Sequence, residues 1–134
     1  MNKYVQLIFI SAERENLTKE ENEQRTQSLI ANLDKTGLKY IDCIGCYKGI
    51  KEKSFMIKHP LLMGFWLNHF KTLARAYNQE SILYRDSNGL YSLEDVTSHR
   101  STIIGKEKII TEQETNLCDN YTYIIEIDTY FTVK

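Results

Sequence analysis

The sequence predicts an α+β domain in which a mostly antiparallel β-sheet carries two α-helices on one face. Three observations predict it. Alternating apolar runs recur along most of the chain, two stretches repeat their apolar residues at helical spacing, and turn signals separate them. The resulting order, β-α-β-β-α-β-β-β, places both helices over the same side of the sheet.

The first strand is Tyr4–Ser11. It is apolar on both alternating faces, Tyr4, Ile8 and Ile10 on one and Val5, Leu7 and Phe9 on the other, as in a central strand covered on both sides. A polar exit loop, Ser11–Asn16, leads to Thr18, which caps the first helix, with Glu21 completing a capping box. That helix runs to about Lys35 and stops at Gly37. Its sheet-facing stripe holds Leu29, Ile30 and Leu33 but begins with Asn22, Arg25 and Thr26. This polar end either lines a pocket or overhangs the sheet into water.

Leu38–Ile44 and Lys53–Lys58 are the next two strands, with Phe55 and Ile57 on one face of the latter and Met56 on the other. Between them lies the stretch Gly45–Phe55, which carries two glycines, a tyrosine, a carboxylate and three lysines. It is read as a loop longer than a minimal hairpin turn, of the kind that carries binding residues. His59-Pro60 breaks the strand, and Pro60 suits the first turn of a second helix over Leu62–Tyr77. The stripe Leu62, Phe65, Trp66, His69, Phe70, Leu73, Ala74 and Tyr77 is read as core, so Trp66 and His69 are packing residues rather than ligands. Asn78 fits a left-handed helix cap. A fourth strand, Ser81–Arg85, turns at Asp86-Ser87-Asn88-Gly89 and returns as Leu90–Leu93. Thr102–Thr111 reads as one or two short edge strands around Gly105. The alternation from Tyr121 to Val133 reads as one long one-sided strand bent near Asp128. With no repeats and no linker, residues 1–134 form a single domain with an arrangement related to the ferredoxin-like fold.

Composition narrows the function classes. A net charge of -1 gives no overall pull toward nucleic acid or membrane. The charge is unevenly spread, however: residues 48–75 are basic and residues 107–128 acidic. No run approaches the ~18 apolar residues of a membrane span, and the N-terminus lacks a signal-peptide layout. Three cysteines without an export signal suggest reduced thiols and a cytoplasmic location. Cys43 and Cys46 form a CxxC, but residues three apart in a strand face opposite ways, so neither a zinc site nor a redox pair is expected. GxGxxG, P-loop, HExxH and GxSxG motifs are missing, and the scattered histidines pair with no nucleophile. What remains is polar residues at element ends: Arg14, Asn22, Arg25, Tyr47, Glu52, Gln79 and Glu80.

Those residues lie in segments that resemble a known family. Ile10-Ser11-Ala12-Glu13-Arg14-Glu15-Asn16-Leu17, then Asn22 and Arg25, then Gly45-Cys46-Tyr47-Lys48 with Glu52, then Leu73-Ala74-Arg75 and Gln79-Glu80 are similar to the phage-encoded S-adenosylmethionine lyases and related small phage proteins. The resemblance covers roughly residues 5–93, and the Tyr47–Glu52 spacing is shorter here than in those lyases. It implies a trimer with the ligand between subunits, Tyr47 and Glu52 coming from one subunit and Gln79 and Glu80 from its neighbour. It implies Tyr47, Glu52 and Glu80 as catalytic residues, Ser11, Arg14, Asn22, Arg25 and Gln79 as ligand-binding residues, and no metal or cofactor. The implied reaction is displacement of the sulfonium by the substrate's own carboxylate, countering host restriction or methylation. The alternative is a non-catalytic anti-defence protein that sequesters an adenine-containing nucleotide; the basic 48–75 run favours it, and the carboxylates Glu52 and Glu80 favour the lyase.

Overall fold

The structure is a computed structural model that describes residues 4–58 and 63–134. Its elements in chain order are β1 (Leu7–Ser11), α1 (Lys19–Thr36), β2 (Tyr40–Tyr47), β3 (Ile50–Lys58), α2 (Met63–Ala76), β4 (Ser81–Arg85), β5 (Leu90–Asp95), β6 (Ser101–Ile110), β7 (Asn120–Ile124) and β8 (Thr129–Val133). Short 3₁₀ turns occupy Gln113–Leu117 and Ile125–Ile127. The strands close into a barrel in the order β1-β3-β2-β7-β8-β6-β5-β4. The α+β class and the two helices on one face hold, but the open ferredoxin-like sheet does not. Its outer strands β4 and β2 are not edges, because β5 and β7 pair with them and β6 and β8 join the two ends.

Two apolar layers follow from the alternation along each strand. On β1, Leu7 and Phe9 point into the barrel, while Ile8 and Ile10 point outward beneath the helices. Phe55 and Ile57 of β3 join the helix layer and Met56 joins the lumen. Leu29 and Leu33 of α1 and Phe70 and Ala74 of α2 complete the outer layer, each at 0% exposure. Thr18 and Glu21 form the expected capping box, and Gly37 ends α1 with a left-handed φ of 73°. The stripe on α2 is narrower than expected. Phe65 is 63% exposed and His69 is exposed, so among the described residues of the stripe only Phe70, Ala74 and Tyr77 are buried, with Trp66 and Leu73 packed at the margin; Leu62 lies outside the described residues. His59 and Pro60, expected to lead into this helix, lie outside the described residues.

Two further expectations are corrected. Tyr47 pairs with Ile50, so the connection is a two-residue turn, Lys48-Gly49, with φ of 51° and 82°. Positive φ at both positions is the signature of a type I′ hairpin. The supposed loop Gly45–Phe55 is therefore mostly strand, with Glu52 opposite Gly45. The segment from Tyr121 to Val133 is not one strand either. It is the β7–β8 hairpin, reversed through the 3₁₀ turn at Ile125–Ile127 and Asp128, whose φ is 47°. Alternation persists through the reversal, which is why the sequence reads as continuous.

β6 and β7 are both antiparallel to β8 and so parallel to each other, and residues 111–119 cross over β8 to join them. The one or two short edge strands expected around Gly105 are instead β6, a single strand of 10 residues paired on both sides, by β5 and β8. Gly105 sits at φ 130°, and an added Cβ would fall 2.1 Å from the Lys134 carbonyl. The backbones of Lys106 and Lys134 exchange hydrogen bonds beside it.

Candidate functional site

One end of the barrel gathers the exits of β1, β2, β5 and β8 and the entries of β3, β4, β6 and β7, because every neighbouring pair is antiparallel. The loop after β1 is fastened there from several sides. Asn22 makes a reciprocal pair with Arg14: its side-chain oxygen accepts from the Arg14 N–H and its amide donates to the Arg14 carbonyl, both at 2.9 Å. Arg25 Nε donates to the Ala12 carbonyl at 2.7 Å and its outer nitrogen donates to the Tyr77 carbonyl. Gln79 Nε2 donates to the Glu13 carbonyl at 2.9 Å, and the Arg14 guanidinium donates to the Asn78 carbonyl. Ser11 Oγ donates to the Lys53 carbonyl at 2.7 Å and accepts from the Glu13 N–H at 3.1 Å. Glu13 in turn accepts from the Lys53 N–H at 2.7 Å.

The polar start of the first helix neither overhangs into water nor simply lines a pocket. Asn22 and Arg25 satisfy backbone groups that a loop at the barrel mouth would otherwise leave unpaired.

Beside these clamps is a cleft of about 570 Å³. Arg14, Arg25, Gln79 and Glu80 line it, so four of the expected residues meet within one chain. Arg75, Asn16 and Thr97 line it too and were not among the expected site residues. Arg75 lies in the basic 48–75 run and in the Leu73-Ala74-Arg75 segment of the resemblance, which was the available signal; Thr97, from the β5–β6 connection, gave none.

Glu52 stands at the barrel mouth next to Ser11. Burial pushes its carboxyl above the usual carboxylate range, the Glu13 carboxylate adds to that, and the Ser11 hydroxyl and Arg14 charge pull the other way. The cluster Ser11–Glu13–Arg14–Glu52 is thus one electrostatic unit adjoining the cleft through Arg14. Tyr47 does not join it. It is 60% exposed at the hairpin tip, with the Lys48 ammonium 5.3 Å from its ring centre. Cys43 and Cys46 face opposite ways, as their spacing requires. Cys43 is sealed in the lumen, where burial pushes its thiol up to about 12, while Cys46 lies on the outer wall. Among the described residues, no three histidine, cysteine or acidic side chains gather to hold a metal ion, and no helix is long and apolar enough to cross a membrane.

Fold and site together define a small helix-backed β-barrel with a charged cleft at one mouth, suited to a compact polar ligand. The model of the S-Adenosylmethionine lyase family matches residues 8–134, from β1 through β8, and the chain belongs to that family. A comparison with curated proteins gives no match.

Proposed function

We propose that the protein cleaves S-adenosylmethionine by an intramolecular displacement. The family match across residues 8–134 carries this reading. A carboxylate oxygen of the substrate attacks the carbon bonded to the sulfonium. The C–O bond forms as the C–S bond breaks, the electron pair goes to sulfur, and methylthioadenosine and homoserine lactone leave. No proton need be transferred, so no general base or nucleophile of the protein is required. Folding the substrate into its attack geometry supplies most of the acceleration, and the loss of opposite charges in the transition state is favoured by a site shielded from water.

In this reading Glu52 and Glu80 hold the ammonium and ribose hydroxyls of the substrate, and Tyr47 cradles the sulfonium. Ser11, Arg14, Asn22, Arg25 and Gln79 shape the ligand pocket, the last four through the clamps on the loop after β1. Tyr47 stands at an exposed tip away from its own chain's cleft, which supports a trimer in which Tyr47 and Glu52 of one subunit face Gln79 and Glu80 of the next. The protein would work in the host cytoplasm, depleting the methyl donor on which restriction or methylation depends.

A second reading rests on a specific observation: Arg14, Arg25 and Arg75 line the same cleft. Three guanidinium groups favour an anion, and S-adenosylmethionine carries no phosphate. A non-catalytic protein that sequesters an adenine-containing signalling nucleotide would use them. Incubating the purified protein with S-adenosylmethionine and following methylthioadenosine by chromatography separates the two. Methylthioadenosine appears in the lyase reading, and Glu52→Gln loses at least about a hundredfold of that turnover, the order of two displaced charge-assisted contacts, while keeping its circular dichroism. Intact substrate, together with tight binding of a cyclic or ADP-ribose-type nucleotide, overturns it in favour of the second.

A further inference from the structure

A second cavity, of about 870 Å³, lies on the opposite, helix-free wall of the barrel and is not used by the proposed reaction. Its floor is the outer face of β2, β7 and β8, where strand alternation places Tyr121, Tyr123 and Tyr130 together. Tyr123 and Tyr130 stack with ring centres 4.3 Å apart, and Tyr121 lies 6.1 Å from Tyr130. Its roof is the crossover between β6 and β7, which brings Glu112, Gln113 and Asn116 over the rings. At one end stand Lys48 and Lys51 of the β2–β3 hairpin, and neither forms an ion pair among the described residues.

Each group has a matching chemistry. Aromatic faces stack on a planar base, carboxamides pair with a base edge, and a carboxylate accepts from ribose hydroxyls. Lys48 and Lys51, beside the one carboxylate of Asp119, offer two ammonium groups that attract a phosphate. Glu112 lines the same groove as the three tyrosines, and its charge adds to the burial that pushes their hydroxyls up. The Lys48 N–H donates to the Asp119 carbonyl at 2.6 Å, extending the β2–β7 ladder by one rung and holding the hairpin beside the crossover. A groove of this volume takes a single nucleotide.

We propose that this groove is a second binding site, for a nucleoside monophosphate, with the base against Tyr121, Tyr123 and Tyr130 and the phosphate at Lys48 and Lys51. The site is distinct from the cleft at Arg14 and Glu80 and does not rest on the lyase reading.

The test is calorimetric titration of the full chain with adenosine 5′-monophosphate at low and high salt. Saturable binding is expected, weaker at high salt. Tyr130→Ala should weaken it about tenfold or more, as loss of a stacking surface does, and Tyr130→Phe should retain it, which separates lost stacking from a misfolded wall. Lys51→Glu should weaken the monophosphate but not adenosine. Turnover of S-adenosylmethionine, measured in parallel, should be unchanged by Tyr130→Phe and Lys51→Glu. Absence of binding at millimolar concentration overturns the proposal, as does binding that survives Tyr130→Ala and Lys51→Glu but is lost in Arg75→Ala, which would assign the nucleotide to the other cleft.

Discussion

The two halves of the barrel bury their strands differently. β4, β1, β3 and β2 lie under the helices, at least in part, and β1, at its centre, exposes at most 6% of any residue from Leu7 to Ile10. β5, β6, β8 and β7 share the same lumen but are largely without a helix outside, and there Ile103 and Ile109 are 67% and 59% exposed. The lumen is common property, so both halves contribute to it through Phe9, Tyr91 and Phe131, whose rings meet within 6.2 Å. The outer layer belongs to one half alone. Strands buried on both faces fix positions firmly, and the residues that clamp the first mouth, Ser11 and Glu52 among them, extend directly from those strands. The open half instead displays side chains to solvent, including the tyrosine wall.

The contrast is tested most strongly by paired truncations. Phe70→Ala, under the helix layer, should cost about 3–5 kcal/mol in chemical denaturation, and Ile103→Ala, on the open wall, should stay within about 0.5 kcal/mol. A comparable loss from both would mean that the open wall is covered in solution. Gly105→Ala tests closure within the open half. The φ of 130° and the contact with Lys134 leave no room for a methyl group, and a loss of at least about 1–3 kcal/mol should appear as a lowered melting temperature. If this variant were as stable as the parent, the strand ends would not meet as described.

The smallest effect concerns Glu52. In the unfolded chain it titrates in the ordinary carboxylate range; in the folded chain burial raises its pKa. The native state therefore holds the proton to higher pH, and stability falls as pH rises through the raised value. Glu52→Gln should be more stable than the parent at neutral pH, with the difference shrinking as the solution is acidified. Denaturation curves of both proteins between weakly acidic and neutral pH would show it, and a stability difference between parent and variant that does not grow with pH would contradict the assigned burial.

The sequence made the covered half readable because its signals are local. Double-faced burial of Leu7–Ile10, the Thr18–Glu21 box, the Gly37 cap and the Asp86–Gly89 turn each depend on neighbours in the chain. Closure is not local. Nothing in the alternation of Tyr121–Val133 announces that Asp128 reverses the chain, or that β8 will sit between β6 and β7. The tight Lys48-Gly49 turn was concealed because lysine seldom takes a positive φ. For the site, the residue types at element ends were visible, and the structure gathers Arg14, Arg25, Gln79 and Glu80 into one cleft. Their engagement with backbone carbonyls was not visible, since hydrogen bonds from Arg25 to Tyr77 and from Gln79 to Glu13 span 52 and 66 positions.

The position of β8 in the barrel also governs when the protein can fold. β8 leaves the ribosome after the other seven strands, yet it is the piece that joins β6 to β7. Until then the nascent chain carries two unpaired strand margins, each able to pair with another chain. The β2–β7 pairing on the other side, which joins residues far apart in the chain such as Cys43 and Ile124, is also slow to form. The interval between synthesis of β7 and docking of β8 is therefore the window in which a chaperone, or a faulty partner, would find this chain.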